Sequence, residues 1–205
     1  MKKWNLIDRT LTPDGKTVSL HEHDGARTIR VEGADLMSTR RHGSEEKLAE
    51  LACANLKGVR APRVLIGGLG FGFTLRTALQ ILPKDATIIV AEILAAVIDW
   101  NATIDDARVT IRNRDIAEII RDPGKGFDAI ILDVDNGPVA LTTETNAHLY
   151  TYEGLQQARA ALCPNGCIAI WSAKPDPKFA KLMTRAGFKV EIHRDRAHTI
   201  FLGRR

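Results

Sequence analysis

Two hydrophobic periods divide the chain. Residues 3 to 10, 16 to 23 and 26 to 32 mix apolar and polar positions in short runs that read as strands. The turn signals Pro13-Asp14-Gly15 and Asp24-Gly25 separate them, and Asp-Gly between two such runs predicts a tight hairpin. A small antiparallel β unit over residues 1–42 is therefore expected. From Ser44 the period lengthens to that of a helix. Leu48, Leu51, Ala52 and Leu56 form its apolar stripe, Glu45 and Glu46 occupy its first turn, and Ser44 is the expected N-cap.

Beyond Pro62, short apolar runs alternate with helical spacing. Strands are expected at 63–66, 87–90, 109–111, 129–132 and 168–171, and helices at 73–82, 95–101, 116–121, 152–162 and 179–186. Such alternation predicts a mostly parallel sheet with helices on both faces. The runs at 188–192 and 198–202 lie too close together for a parallel crossover, so they should close the chain as an antiparallel hairpin. Together these features predict a second unit, residues 43–205, with a Rossmann-like, methyltransferase-type α/β sheet.

Candidate chemistry falls at the strand ends. Arg63-Val64-Leu65-Ile66 runs into Gly67-Gly68-Leu69-Gly70-Phe71-Gly72 and then into a helix. Glycine suits that junction because a side chain would keep the backbone from a ligand and because tight turns often need positive φ. Glu92 ends the next strand, about twenty residues on, where a carboxylate can accept two hydrogen bonds from a ribose diol. Asp115 and Asp133 follow the next two strands, so the three acids should cluster at the carboxyl edge, where open α/β sheets bind ligands. A nicotinamide cofactor fits less well, since the third glycine of its fingerprint would fall at Phe73.

Composition narrows the class without changing the picture. The 205 residues are 44% hydrophobic and 26% charged, in the range of a soluble domain of ordinary size. No long apolar run follows the basic start Met1-Lys2-Lys3, so a membrane span or signal peptide is not expected and a cytoplasmic location is. The net charge of +4 is scattered apart from Arg40-Arg41-His42 and Arg204-Arg205, which favours a solvated surface over nucleic-acid binding. Cys53, Cys163 and Cys167 form no Cys-x-x-Cys pair, and His21 and His23 lack a suitable third ligand, so no metal is expected.

Several local matches make the chain resemble the spermidine synthase family over nearly its whole length. Val64-Leu65-Ile66-Gly67-Gly68 followed by Thr74-Leu75-Arg76 resembles that family's glycine loop and its Thr-Leu-Arg. The run from Phe127 through Asp133-Val134-Asp135-Asn136-Gly137-Pro138 resembles its strand and gate loop. The resemblance implies a co-substrate, decarboxylated S-adenosylmethionine or S-adenosylmethionine, held by Gly67, Gly68, Gly70, Gly72, Glu92 and Asp115. Glu92 would hold the ribose and Asp115 the adenine amino group. It implies Asp133 as the residue that orients or deprotonates a small-molecule amine acceptor, with Asp135, Asn136, Glu50 and Tyr150 around that acceptor. It also implies a homodimer.

The chemistry is sound from first principles, because only an amine's free base is a nucleophile and a carboxylate can take its proton. The chain departs from the family at the loop, where Leu69, Gly70 or Phe71 stands in place of an acid, and at Leu48, Ala49 and Asn136. Aminopropyl transfer is therefore the leading expectation. Methyl transfer to a small molecule or RNA, and nucleoside binding without turnover, are the alternatives.

Overall fold

The computed structural model describes residues 4–134, 144–195 and 198–205. Four strands come first: β1 (Asn5–Leu11), β2 (Thr17–His23), β3 (Ala26–Val31) and β4 (Ala34–Ser38), paired antiparallel in that order. The Asp24-Gly25 hairpin forms as expected, with φ of 52° and 73°, the left-handed pair that a two-residue turn between twisted strands demands. Strand β4 was not expected. It follows a second such turn, Glu32-Gly33 at 49° and 81°.

Helix α1 (Gly43–Cys53) joins this sheet to the rest, but Ser44 does not cap it. The cap position is His42, without a side-chain bond, and Ser44 lies inside the first turn with its hydroxyl turned to Glu45. After it come β5 (Arg63–Gly67), α2 (Phe73–Ile81), β6 (Thr87–Ala91), α3 (Ala95–Asp99), β7 (Val109–Arg112), α4 (Ile116–Arg121) and β8 (Phe127–Leu132). A 3₁₀ helix (Glu144–Tyr150), α5 (Tyr152–Ala161), β9 (Leu162–Ser172), α6 (Pro177–Arg185), β10 (Lys189–Asp195) and β11 (His198–Arg204) complete the chain.

Local chemistry sets several boundaries. Helix α2 stops before Leu82, which is extended at φ −76°, ψ 147°, because the residue preceding a proline is pushed out of the helical region. Helix α6 starts two residues earlier than its apolar spacing suggests. Asp176 accepts from Lys178 and Phe179 nitrogens at 2.9 and 3.0 Å, and Pro177 fits the first helical position, which needs no N–H partner. The Pro164-Asn165-Gly166 turn lies within the span of β9. There Asn165 takes φ 64° and the ladder with β8 shifts register between Phe127 and Ala129.

The larger sheet has the order β10-β11-β9-β8-β5-β6-β7. Strands β5 to β9 are mutually parallel, and β11 runs antiparallel between β9 and β10. This is the mostly parallel, methyltransferase-type sheet with a terminal hairpin that the pattern predicted. Its two faces are covered by separate cores. One joins Leu65, Ile130, Leu132 and Ile170 to helices α4, α5 and α6; the other joins Val64, Ile66, Val90 and Ile131 to α1, α2 and α3. A third cluster, Val18, Leu20, Ile29, Val31 and Phe71, seats the small sheet on the glycine loop. Among the described residues no helix is long and apolar enough to cross a membrane.

Candidate active site

The strand order places the crossover point between β5 and β8, so the chain leaves these neighbouring strands toward helices on opposite faces. A crevice must open there. Gly67 ends β5, and Gly68 turns at φ 86° so close to the next strand that a Cβ would sit 2.3 Å from the Asp133 carbonyl oxygen. Only glycine fits. Gly70, at φ 51°, abuts Met37 of β4, and Gly72 caps α2. The loop is anchored along its length. Gly68 N–H donates to the Ala91 carbonyl at 2.9 Å, Asn101 Nδ2 donates to the Gly70 carbonyl at 2.7 Å, and Arg76 donates to the Phe71 carbonyl.

Glu92 is buried and holds the loop from below. Its Oε2 accepts from Leu69 N–H at 2.9 Å and its Oε1 from Leu94 N–H at 2.9 Å. Asp115 caps α4 through Oδ1, which accepts from Ala117 N–H at 2.8 Å. Both acids, together with Gly68, Gly70 and Asp133, line one cleft of about 950 Å³, counting the part open to solvent. Val18, Ile29, Leu36 and Met37 of the small sheet form its opposite wall. The cleft has an apolar roof and an acidic floor.

At one end of the cleft the electrostatics change. Thr74 Oγ1 donates to Asp133 Oδ2 at 2.5 Å, and Glu45, on α1, is buried nearby. Asp133 presents some surface to the cleft, yet desolvation, reinforced by the Glu45 charge and only partly opposed by Thr74, pushes its carboxyl up to about 7. Among the described residues neither Glu45 nor Asp133 has an ion-pair partner. Two carboxyls without a counter-cation repel each other, and a cation entering the cleft would relieve that repulsion.

The remaining sequence-predicted residues lie elsewhere. Glu50 is exposed on α1 and pairs with Lys47 at 3.0 Å; it does not line the cleft. Tyr150 is buried behind the wall, its hydroxyl donating to the Val134 carbonyl at 3.2 Å and its ring packed edge-on to Phe179. Asp135 and Asn136 lie outside the described residues. Cleft residues that pattern reading did not single out as site residues include Thr12, Glu45, Arg114, Asn146 and Trp171. Glu45 carried a partial signal as an acid in the first turn of α1. Thr74 carried one as the hydroxyl that opens the helix after the loop. Trp171, at the end of β9, carried none beyond its place at a carboxyl edge.

Among the described residues no three His, Cys, Asp or Glu side chains converge as metal ligands. His23 instead stacks on Trp4 at 4.7 Å, and His21 bonds Ser19 at 3.0 Å. Burial pushes the Cys53 and Cys167 thiols up to about 12 and 11, which leaves them unreactive.

No protein-family model matches the chain, and no curated protein matches it in sequence. Solved structures do match its fold. The crystal structure of spermidine synthase from Thermotoga maritima aligns with a TM-score of 0.72 at 21% identity, covering 97% of this chain and 72% of that one. A spermidine synthase in complex with the transition-state analogue AdoDATO aligns with the same TM-score and coverage at 20% identity. The chain has a spermidine synthase-like fold.

Proposed function

We propose that the protein is an aminopropyltransferase that takes decarboxylated S-adenosylmethionine as donor and a small amine as acceptor. The observation that carries this reading is the pair Asp133 and Glu45. A carboxyl driven up to about 7, at the end of the cleft and beside a second acid, is suited to bind an ammonium group and take its proton. The structure bound to AdoDATO, a likeness in fold, supports the choice of donor.

In this reading the residues divide the work. Gly68 and Gly70 let the backbone approach the donor; Glu92, held by the Leu69 and Leu94 N–H groups, accepts from its ribose hydroxyls; and Asp115 meets the adenine amino group. The cationic acceptor lowers the affinity of Asp133 for its proton, so Asp133 releases that proton to solvent and the carboxylate forms as the amine enters. It then removes one proton from the acceptor's ammonium. The freed lone pair forms a C–N bond to the carbon next to the donor's sulfonium as the C–S bond breaks, leaving a neutral thioether and a protonated product amine. Thr74, donating to Asp133 Oδ2, keeps one carboxyl oxygen oriented through the step. Residues 1–42 would serve as the unit that roofs the cleft and 43–205 as the catalytic unit. We further propose a homodimer, which light scattering tests.

One observation favours methyl transfer as the second reading. The loop positions Leu69, Gly70 and Phe71 carry no acid to meet the free amine of a decarboxylated donor, and their neutrality removes a repulsion against a donor that keeps its carboxylate. Paired calorimetric titration with the two donors separates the readings. Tighter binding of the decarboxylated donor, followed by aminopropyl transfer in an amine panel, is expected. Preference for S-adenosylmethionine, or the absence of aminopropyl transfer to every amine tried, sinks the first reading.

A further inference from the structure

A hydrogen-bonded chain reaches the cleft from the terminal hairpin. His198, the first residue of β11, places Nδ1 3.0 Å from Ser44 Oγ, and Ser44 Oγ donates to Glu45 Oε2 at 2.6 Å. Ser44 has a single proton, and it is given to Glu45. The oxygen must then accept, so Nδ1 of His198 carries a hydrogen and donates. The Trp171 ring lies against the imidazole, its centroid 4.8 Å away, and Trp171 itself lines the cleft. Its indole N–H is buried and has no hydrogen-bond partner among the described residues. Residues 44, 45, 171 and 198 come from α1, β9 and β11, so only the closed sheet brings them together.

The chain ends on a carboxylate in the cleft wall and keeps that carboxylate an acceptor. Among the described residues Glu45 and Asp133 thus stand in different surroundings: Glu45 takes a side-chain bond from Ser44, which His198 backs, and Asp133 takes one from Thr74. Two carboxyls whose environments differ divide into one that stays charged and one that exchanges a proton. We propose that Glu45 is the fixed anionic anchor for the acceptor's ammonium group, and that Ser44 and His198 are positioning residues which hold it in that state. The proposal rests on the reading of Asp133 as proton acceptor. It gives the two acids separate parts, with Glu45 setting the amine's affinity and Asp133 its reaction rate.

Among the described residues, Thr74 and the Gly68 backbone lie against Asp133, and Ser44, Trp171 and the cross-strand partner Asp195, whose carboxylate reaches toward Gly43, lie around His198; Glu92, Asp115 and Arg114, which pairs with Glu118, line the same cleft. The test compares Glu45→Gln, Ser44→Ala, His198→Ala and His198→Asn with the wild type. Transfer to 1,4-diaminobutane is followed against pH, and thermal stability against pH serves as a second readout that also reports folding. Loss of one charge-assisted bond should raise the amine KM of Glu45→Gln by about 10- to 100-fold with a smaller change in kcat. The Asp133 transition in stability should move to lower pH, since the Glu45 charge raises it. Ser44→Ala and His198→Ala should show the same split more weakly, and His198→Asn, which can still donate to Ser44, should restore the KM. The proposal is overturned if folded Glu45→Gln keeps the wild-type KM and the wild-type transition, or if His198→Asn fails as badly as His198→Ala. A wild type that transfers to no amine instead overturns the proposed function, and an unmoved Asp133 transition in that case overturns the anchoring chain as well.

Discussion

The two ends of the cleft solve opposite problems. At the glycine-loop end the acids and the loop are matched to partners of the right kind: Glu92 receives two backbone N–H groups, Asp115 caps a helix, and Asn101 secures the Gly70 carbonyl. At the Asp133 end two acids line the cleft, neither with an ion-pair partner among the described residues, and one is driven up to about 7. The first end is preorganised and costs the fold little. The second stores an unfavourable charge that a ligand can relieve, the mark of a site shaped for chemistry rather than for stability.

The sharpest way to break this contrast is Asp133→Asn. Transfer should fall by about 10²- to 10⁴-fold, the usual worth of a general base, as steady-state rates would register. The same substitution should stabilise the ligand-free protein at alkaline pH. With a folded-state value near 7 against 3.8 in the reference carboxyl, the folded protein keeps a proton that the unfolded chain releases. Stability from this group is therefore full below about pH 4, declines as pH rises toward 7, and is flat above. The decline amounts to about 4 kcal/mol at most by linkage, and it should vanish in Asp133→Asn when denaturation is measured across that window. A wild type whose stability rises between pH 4 and 7 through this group would contradict the assignment.

At the other end, Gly68→Ala should lose stability on the order of 3 kcal/mol in chemical denaturation. It combines a positive φ with a Cβ 2.3 Å from backbone. Glu92→Gln places an amide group opposite two backbone N–H groups and can accept from only one. A loss of about 1–3 kcal/mol is expected, with donor affinity falling about tenfold in calorimetry. Asp115→Ala removes a helix cap worth about 1 kcal/mol, and a thermal melt should show it. Glu50→Gln marks the floor of the series. An exposed pair with Lys47 contributes under about 1 kcal/mol, so stability and amine KM should both stay near wild type.

How far the sequence could be read differs between fold and site. Alternating strands and helices beyond Pro62 were readable because each period is local, and α4 spans the same residues, Ile116–Arg121, in pattern and structure. Errors fell where a local signal had two physical outcomes. Ser44 sits where an N-cap is expected, but its hydroxyl bonds Glu45 and His198 instead. The Pro164-Asn165-Gly166 run could end a strand or bend one, and it bends one. Strand β4 was missed because Ala34–Ser38 has only half-buried or exposed residues and so no strong apolar alternation.

The sequence by itself determined the sheet, the glycine turn, and the presence of Glu92, Asp115 and Asp133 at the carboxyl edge, since strand length, turn conformation and side-chain period are set by neighbours a few residues apart. Only the tertiary structure decided that Glu45, and not Glu50, faces Asp133, that Thr74 bonds that carboxyl, and that His198 backs Ser44. Those pairings span 59 to 154 positions of chain. Their energies depend on burial and on which faces of α1, α2 and β11 meet across the sheet, and that information exists only once the chain has closed on itself.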